Sequence, residues 1–402
     1  MKQKSIWISL LFGIGLFFLW TSTSFANTDA EKESSEEPTT PNELVNEQIE
    51  RMDFSEVETF WNQIVDEYGG FLPELEKESF TDYIDKVNEF SFKEWTIGIL
   101  KFIFHEMIVN GKLIGTLIIL TIFSMLLQSL QNAFETTTVS KIAYSIVFMV
   151  LMIIALNSFH LAVQYASGAI QNMIHFTIAF IPILLALIAT GGGVISAGFF
   201  HPVILFLTNV SGLFVDRIVL PLLFLSVLLS IVSTLTSQYK ATQLAGLLRN
   251  WSIGLLGVFM TVFLSIVSIQ GSATAVADGI AIKTTKFVTS NFIPVVGRMV
   301  SDATDTVISA SVLLKNTVGL AGVGILLLLT LFPAVKILII AFVFKFSAAL
   351  LQPLGGGPII TCLDIISKSV IYLFAALAIV SIMFFLSLTV IVVAGNITMM
   401  VR

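Results

Sequence analysis

From residue 95 onward the chain is dominated by long apolar runs, and residues 27 to 94 before them are polar and acidic. Runs long enough to cross about 30 Å of hydrocarbon fall near residues 113–131, 142–163, 218–236, 251–270 and 369–395. Two shorter or interrupted runs, 171–190 and 199–215, and one long run, 317–352, with Pro333 and Lys336 in its middle, add to these. Splitting the long run at Pro333, where a helix loses a backbone donor, gives two spans. The pattern predicts an all-α polytopic membrane protein with about seven to nine membrane helices or hairpins.

The chain start has a different pattern. Lys2 and Lys4, the apolar stretch Ile6 to Trp20 and the small-x-small run Ser24-Phe25-Ala26 predict a signal peptide over 1–26, with an uncleaved anchor helix as the alternative. Either way, residues 27–94 are delivered to the extracytoplasmic side. Residues 27–42 hold almost no apolar side chain and predict a flexible leader. Within 43–94, Val45, Ile49, Met52, Val57, Phe60, Trp61 and Ile64 follow helical spacing, as do Phe80, Tyr83, Ile84, Val87 and Phe90. The break Gly69-Gly70-Phe71-Leu72-Pro73 makes these two amphipathic helices joined by a turn. Two helices alone bury little, so they are expected to rest on the membrane domain, residues 95–402, or on a partner.

A repeat organises part of that domain. Phe180-Ile181-Pro182 precedes Val194-Ile195-Ser196-Ala197, and Phe292-Ile293-Pro294 precedes Val307-Ile308-Ser309-Ala310, with Pro221 and Pro333 at the same offset of 112 residues. This suggests repeats over 142–250 and 251–368. In the second copy Lys283, Lys286, Arg298, Asp302 and Asp305 are too polar to cross lipid, so the matching 171–197 is expected to be a re-entrant or interfacial hairpin. Each repeat then holds three crossings and a hairpin, which inverts the second copy, an architecture of many transporters and channels. That arrangement puts Lys141, Arg217, Lys283, Lys286, Arg298, Lys315 and Lys368 inside and Lys240, Arg249, Lys336 and Arg402 outside, in keeping with the positive-inside bias.

Composition changes the picture in two places. Hydrophobic residues make up 56% of the 402 and charged ones 12%, which excludes ordinary soluble usage. The net charge of -6 divides unevenly: 27–94 holds 20 acidic against 5 basic residues, and the chain from 95 onward 7 against 14. An acidic segment of this kind is repelled by nucleic acid and by anionic lipid, and faces solvent or a basic partner. The single cysteine, Cys362, excludes an internal disulfide and a cysteine metal site.

Candidate chemistry is sparse. Gly191-Gly192-Gly193 and Gly355-Gly356-Gly357-Pro358 interrupt helices at membrane depth, where irregular backbone is tolerated beside protein or a water-filled cavity. They are candidates for a pore, hinge or substrate cradle, with close packing or a plain loop as the alternative. Lys345, between Phe344 and Phe346, is a charge in an apolar run that needs a partner or water. Asp216 and Arg217 are a candidate intramembrane pair or a short polar turn. His201-Pro202 is a candidate proton or ligand site, and Asp364 and Lys368 are spaced to pair along one helix. No nucleophile triad, metal cluster, phosphate loop or cofactor motif is visible, and an enzyme is not expected.

The run Gly191-Gly192-Gly193-Val194-Ile195-Ser196-Ala197 with Phe200-His201-Pro202, the run Leu351-Gln352-Pro353-Leu354-Gly355-Gly356-Gly357-Pro358 and the ending Val393-Ala394-Gly395-Asn396 resemble the stage III sporulation protein AE family of endospore-forming Firmicutes, over essentially the whole length. The resemblance implies an integral component of the sporulation channel complex, in the mother-cell membrane around the forespore. Its implied partners are the other subunits of that complex and a forespore membrane protein. The implied role is late forespore gene expression through small-molecule transport. A structural platform that gathers those subunits without conducting, and a secondary transporter or permease, are the alternatives. The resemblance assigns no catalytic residue.

Overall fold

The structure, a computed structural model, describes residues 52–72, 79–86, 91–133, 138–235, 241–292, 296–354 and 357–400. The expected signal peptide, the leader, the chain up to Arg51, and Gly355 and Gly356 lie outside the described residues. Every regular element among the described residues is helical. In chain order these are α1 (Ser55–Tyr68), α2 (Phe80–Lys86), α3 (Phe92–Val109), α4 (Gly111–Ala133), α5 (Thr138–Thr190), α6 (Val194–Phe214), a π-helical turn (Val215–Val219), α7 (Leu220–Leu235), α8 (Thr242–Phe292), α9 (Val296–Leu351) and α10 (Pro358–Met400). Among the described residues five stretches are long and apolar enough to cross a membrane, in α5, α6–α7, α8, α9 and α10, and the bent pair α3–α4 makes a sixth if it is one span.

Long antiparallel helices set the height of the bundle: α5 alone has 53 residues, about 80 Å at 1.5 Å per residue. Side-chain contacts fix the registers. Thr330 of α9 donates to the Met173 sulfur of α5 at 3.1 Å, and Lys336 of α9 stands 5.5 Å from the Tyr165 ring of α5, so α9 runs antiparallel to α5. Ser367 of α10 donates to the Ala341 carbonyl of α9 at 2.9 Å. On the other side, Ser226 of α7 donates to Ala245 O at 2.6 Å and Ser252 of α8 to Val219 O at 3.0 Å, pairing α6–α7 with α8. The core between these helices is apolar and fully enclosed around Phe159, Phe176, Phe180, Phe332, Phe344 and Phe384.

One expectation is corrected here. The run 317–352 is one helix, not two spans divided at Pro333: α9 continues through the proline. A proline inside a helix costs about 3 kcal/mol or kinks it, but Phe332, Ile337, Leu329 and Ile340 are all enclosed by neighbouring helices, and that packing holds the axis. Residues 171–190 form the second half of α5, which passes through Pro182 and gives way to α6 after the glycine triplet. The repeat motifs therefore fall in different settings, with Pro182 inside a helix and Phe292 at the end of α8.

The amphipathic stripe of α1 follows from its sequence. Val57, Trp61, Ile64 and Tyr68 are buried, and Glu56 and Glu58 in the first turn complement the helix dipole. Upstream, the Ser55 hydroxyl and amide hold the Asp53 carboxyl below its usual range. The stripe docks on the bundle: Phe60 meets Phe176 of α5 edge-on at 5.9 Å, and Tyr68 stacks on Phe332 of α9 at 3.9 Å. Glu67 accepts a 2.8 Å ion-pair bond from Lys336, whose ammonium also lies 5.3 Å from the Tyr68 ring. Burial, and then the Glu67 hydrogen bond, push the Tyr68 phenol far above its usual range, so it stays neutral. Fully burying each large apolar side chain contributes about 1.5–3 kcal/mol, which makes this docking firm.

Candidate functional sites

The first glycine triplet is a tight reversal between α5 and α6. Gly191 N–H bonds Leu187 O at 3.0 Å, Gly192 N–H bonds Ala189 O at 3.0 Å and Gly193 N–H bonds Ile188 O at 2.8 Å. This is the six-to-one plus five-to-two pattern of a helix ended by a left-handed residue. Gly192 is that residue, with φ at 91°. At Gly193 a Cβ would lie 2.6 Å from Ile188 Cγ2.

Just past the turn, the free N–H groups that open α6 find a carboxylate from a distant helix. Asp278 of α8 accepts from Ile195 N–H at 2.9 Å and from Ser196 N–H at 3.1 Å, and only 1% of the residue is exposed. An anion at a helix N-terminus is favourable both as a hydrogen-bond acceptor and against the dipole. Gln270, two turns below on α8, donates to Phe199 O at 2.6 Å and extends the seam. The triplet is therefore a closed junction. His201 and Pro202, a little further along α6, are exposed on its outer face and are not brought to it.

A second feature lies beside the middle of α5. There the π-helical turn between α6 and α7 inserts extra backbone, a distortion often found at functional sites. Beside it is a groove of about 800 Å³ between α5 and α6–α7, lined by His160, Ser167, Gln171, His175, Asn209 and Arg217 among others. Asp216 accepts hydrogen bonds from Ser167 at 2.8 Å and from Gln171 at 3.2 Å. The sequence leaves a pair with Arg217 and a short polar turn open for Asp216; its bonds go to α5, and Arg217 is an exposed residue of the groove lining.

The third feature joins α9 to α10. Lys345 Nζ lies 2.5 Å from Asp364 Oδ1, and Lys368 Nζ lies 2.6 Å from Asp364 Oδ2. The side chains of Lys345 and Lys368 are 59% and 61% exposed. One carboxylate thus bridges two lysines, and the cluster keeps a net charge of +1. The bond from Ser367 to Ala341 O sets the register that brings Lys345 opposite Asp364. At the connection, Gly357 O accepts from Thr361 N–H at 3.2 Å and Pro358 opens α10, the position where a missing N–H costs nothing.

Sequence reasoning missed Asp278, whose partners are backbone groups more than eighty positions away. Its signal was nonetheless present: a lone acid in the apolar run Thr274 to Ile280. It also missed the Lys336–Glu67 contact. Among the described residues no cluster of histidine, cysteine and acidic side chains could hold a metal ion.

Long apolar helices, polar side chains confined to a few seams and clusters, and a docked amphipathic helix define a polytopic helical membrane protein. The profile of the stage III sporulation protein AE family matches residues 76–395. The stage III sporulation protein AE of Bacillus subtilis (strain 168) is 61% identical over 363 residues, which is 90% of this chain and 91% of that protein. The chain belongs to the stage III sporulation protein AE family, and its role is in sporulation. No solved structure matches it.

Proposed function

We propose that the chain is an integral component of a channel or export complex in the mother-cell membrane that surrounds the forespore. It supports small-molecule passage needed for late forespore gene expression and spore formation. Residues 27–94 face the extracytoplasmic space, where α1 offers an acidic outer surface to a basic partner. Other subunits of the stage III complex and a forespore membrane protein complete the assembly.

The observation that carries the transport reading is the exposed Lys345–Asp364–Lys368 cluster. It sits on two of the helices that are long and apolar enough to cross a membrane. Charges at such positions are costly against lipid and are kept where a water-filled path or a partner receives them. The test is complementation of Bacillus subtilis lacking its own relative. The unaltered chain restores heat-resistant spores, and the Lys345→Ala, Lys368→Ala double variant, at equal membrane level, loses most of them. Full spore yield from the double variant would instead favour a platform that assembles partners without conducting.

A further inference from the structure

The apolar stretch of α5, Ile142–Thr190, is too long for one membrane. Its 49 residues rise about 73 Å at 1.5 Å per residue, against about 30 Å of hydrocarbon. Ser167 lies near the middle of that stretch, about 35 Å from either end, and there the groove beside the π-helical turn brings Asp216 and Arg217 to α5. Other charged and amphipathic groups share this level. Lys336 stands 5.5 Å from the Tyr165 ring and pairs with Glu67. Ser252 donates to Val219 O, which sets the exposed Trp251 beside the turn, and Arg249 lies 4.9 Å from the Tyr372 ring. A hydrocarbon slab centred here would enclose all of these charges, which is unfavourable, whereas a slab that covers either half of α5 ends here. Tyrosine and tryptophan at one level with charged side chains are characteristic of a membrane–water boundary. The belt therefore stands at the level of lipid headgroups.

Within the groove the two charges are not paired with each other. Asp216 is held by the Ser167 hydroxyl and the Gln171 amide of α5, and Arg217 is exposed on the lining. An ionised carboxylate accepts at about four positions, so Asp216 keeps capacity for an ammonium group. Leu220 N–H reaches back to Val215 O, and Pro221 brings no N–H for the carbonyl next in that register, that of Asp216, which adds an acceptor. The planar fork of Arg217 matches a phosphate. An anion alone would meet Asp216 and a cation alone would meet Arg217, so the groove complements a molecule that carries both charges. Val163, Ile174 and Leu213 complete the lining with apolar surface that suits an acyl chain. We propose that this groove binds a zwitterionic phospholipid, its primary ammonium on Asp216 and its phosphate on Arg217, and that the bound lipid fixes the depth of the bundle in the bilayer. The site stands apart from the transport reading and does not depend on it.

The test uses the full-length chain, delipidated in detergent and titrated with phosphatidylethanolamine, with phosphatidylglycerol or with soluble phosphoethanolamine, bound molecules being counted by native mass spectrometry. The unaltered chain is expected to retain the ethanolamine lipid severalfold better than the glycerol lipid. Arg217→Gln changes an exposed side chain, and is expected to fold as before and to retain the ethanolamine lipid severalfold less. Asp216→Asn is expected to keep binding phospholipid but to lose the preference between the two heads. His201→Gln, on the outer face of α6 and outside the groove lining, is expected to bind as the unaltered chain does. Equal retention of the two lipids by the unaltered chain, or undiminished retention by Arg217→Gln, would overturn the site. Phosphoethanolamine binding as tightly as the whole lipid would show that the acyl chains contribute nothing and would overturn a lipid as the occupant.

Discussion

Two aspartates in one bundle show how burial decides what a charge is for. Asp278 and Asp364 each hold two partners, and each lies near a glycine-rich helix connection. Asp278 is enclosed, and its partners are the backbone N–H groups of Ile195 and Ser196. Asp364 is partly exposed, and its partners are two lysines open to the surroundings. The first closes a junction between α8 and α6 and leaves no charge to spare. The second organises a surplus positive charge on an outward face. The same residue type is a structural fastener in one place and the centre of an exposed charged cluster in the other.

The strongest way to break that comparison is at Asp278. Replacing it with Ala strands two enclosed N–H groups of α6, and each buried unsatisfied group costs about 1–3 kcal/mol. Asp278→Ala is therefore expected to lower the stability of the purified protein by about 2–6 kcal/mol, read as the midpoint of unfolding in detergent. Asp278→Asn keeps one acceptor oxygen and is expected to lose less than half as much. Equal stability of Asp278→Ala and the unaltered chain would mean that the turn does not need the carboxylate.

A smaller effect separates the turn glycine from a glycine inside the helix that follows it. Gly192 holds a left-handed backbone angle that costs an L-residue with a side chain about 1–2 kcal/mol. Gly192→Ala is expected to show that loss in the same unfolding measurement. Gly198, a glycine inside α6 with open space where a Cβ would stand, is expected to accept Ala with no loss of stability. A larger loss at Gly198 than at Gly192 would overturn the assignment of Gly192 as the strained position of the turn.

What could be read from sequence follows the same division between local and distant causes. The buried face of α1 was legible because Val57, Phe60, Trp61 and Ile64 obey a spacing that a single helix imposes. The all-α membrane fold was legible because hydrocarbon thickness sets a minimum run length. The turn at Gly191-Gly192-Gly193 was marked because left-handed backbone favours glycine. Lys345 stood out as a charge in an apolar run, but its partner did not, since Asp364 reaches it only through the register of α9 and α10. Local spacing found only half of that cluster, the pair Asp364 and Lys368. Splitting the long run at Pro333 failed for a related reason. The proline is a local penalty, and the packing of Phe332 and Ile337 against other helices outweighs it.

Asp364→Asn sharpens the comparison with the smallest expected effect on stability. If the α9–α10 face meets water, the ion pairs with Lys345 and Lys368 are solvated ones, and such pairs contribute about 0–1 kcal/mol. The unfolding midpoint of Asp364→Asn is then expected to stay within that margin, well short of the Asp278→Ala loss. The lysines lose their anchor but keep their charge, so the net charge of the cluster rises by one. A face covered by lipid predicts the opposite balance. Removing the only carboxylate would leave two ammonium groups unpaired in hydrocarbon, and Asp364→Asn would then destabilise the protein at least as much as Asp278→Ala. Comparing the two variants in lipid bicelles, where the face meets lipid if nothing else covers it, decides between a wetted surface and a buried one.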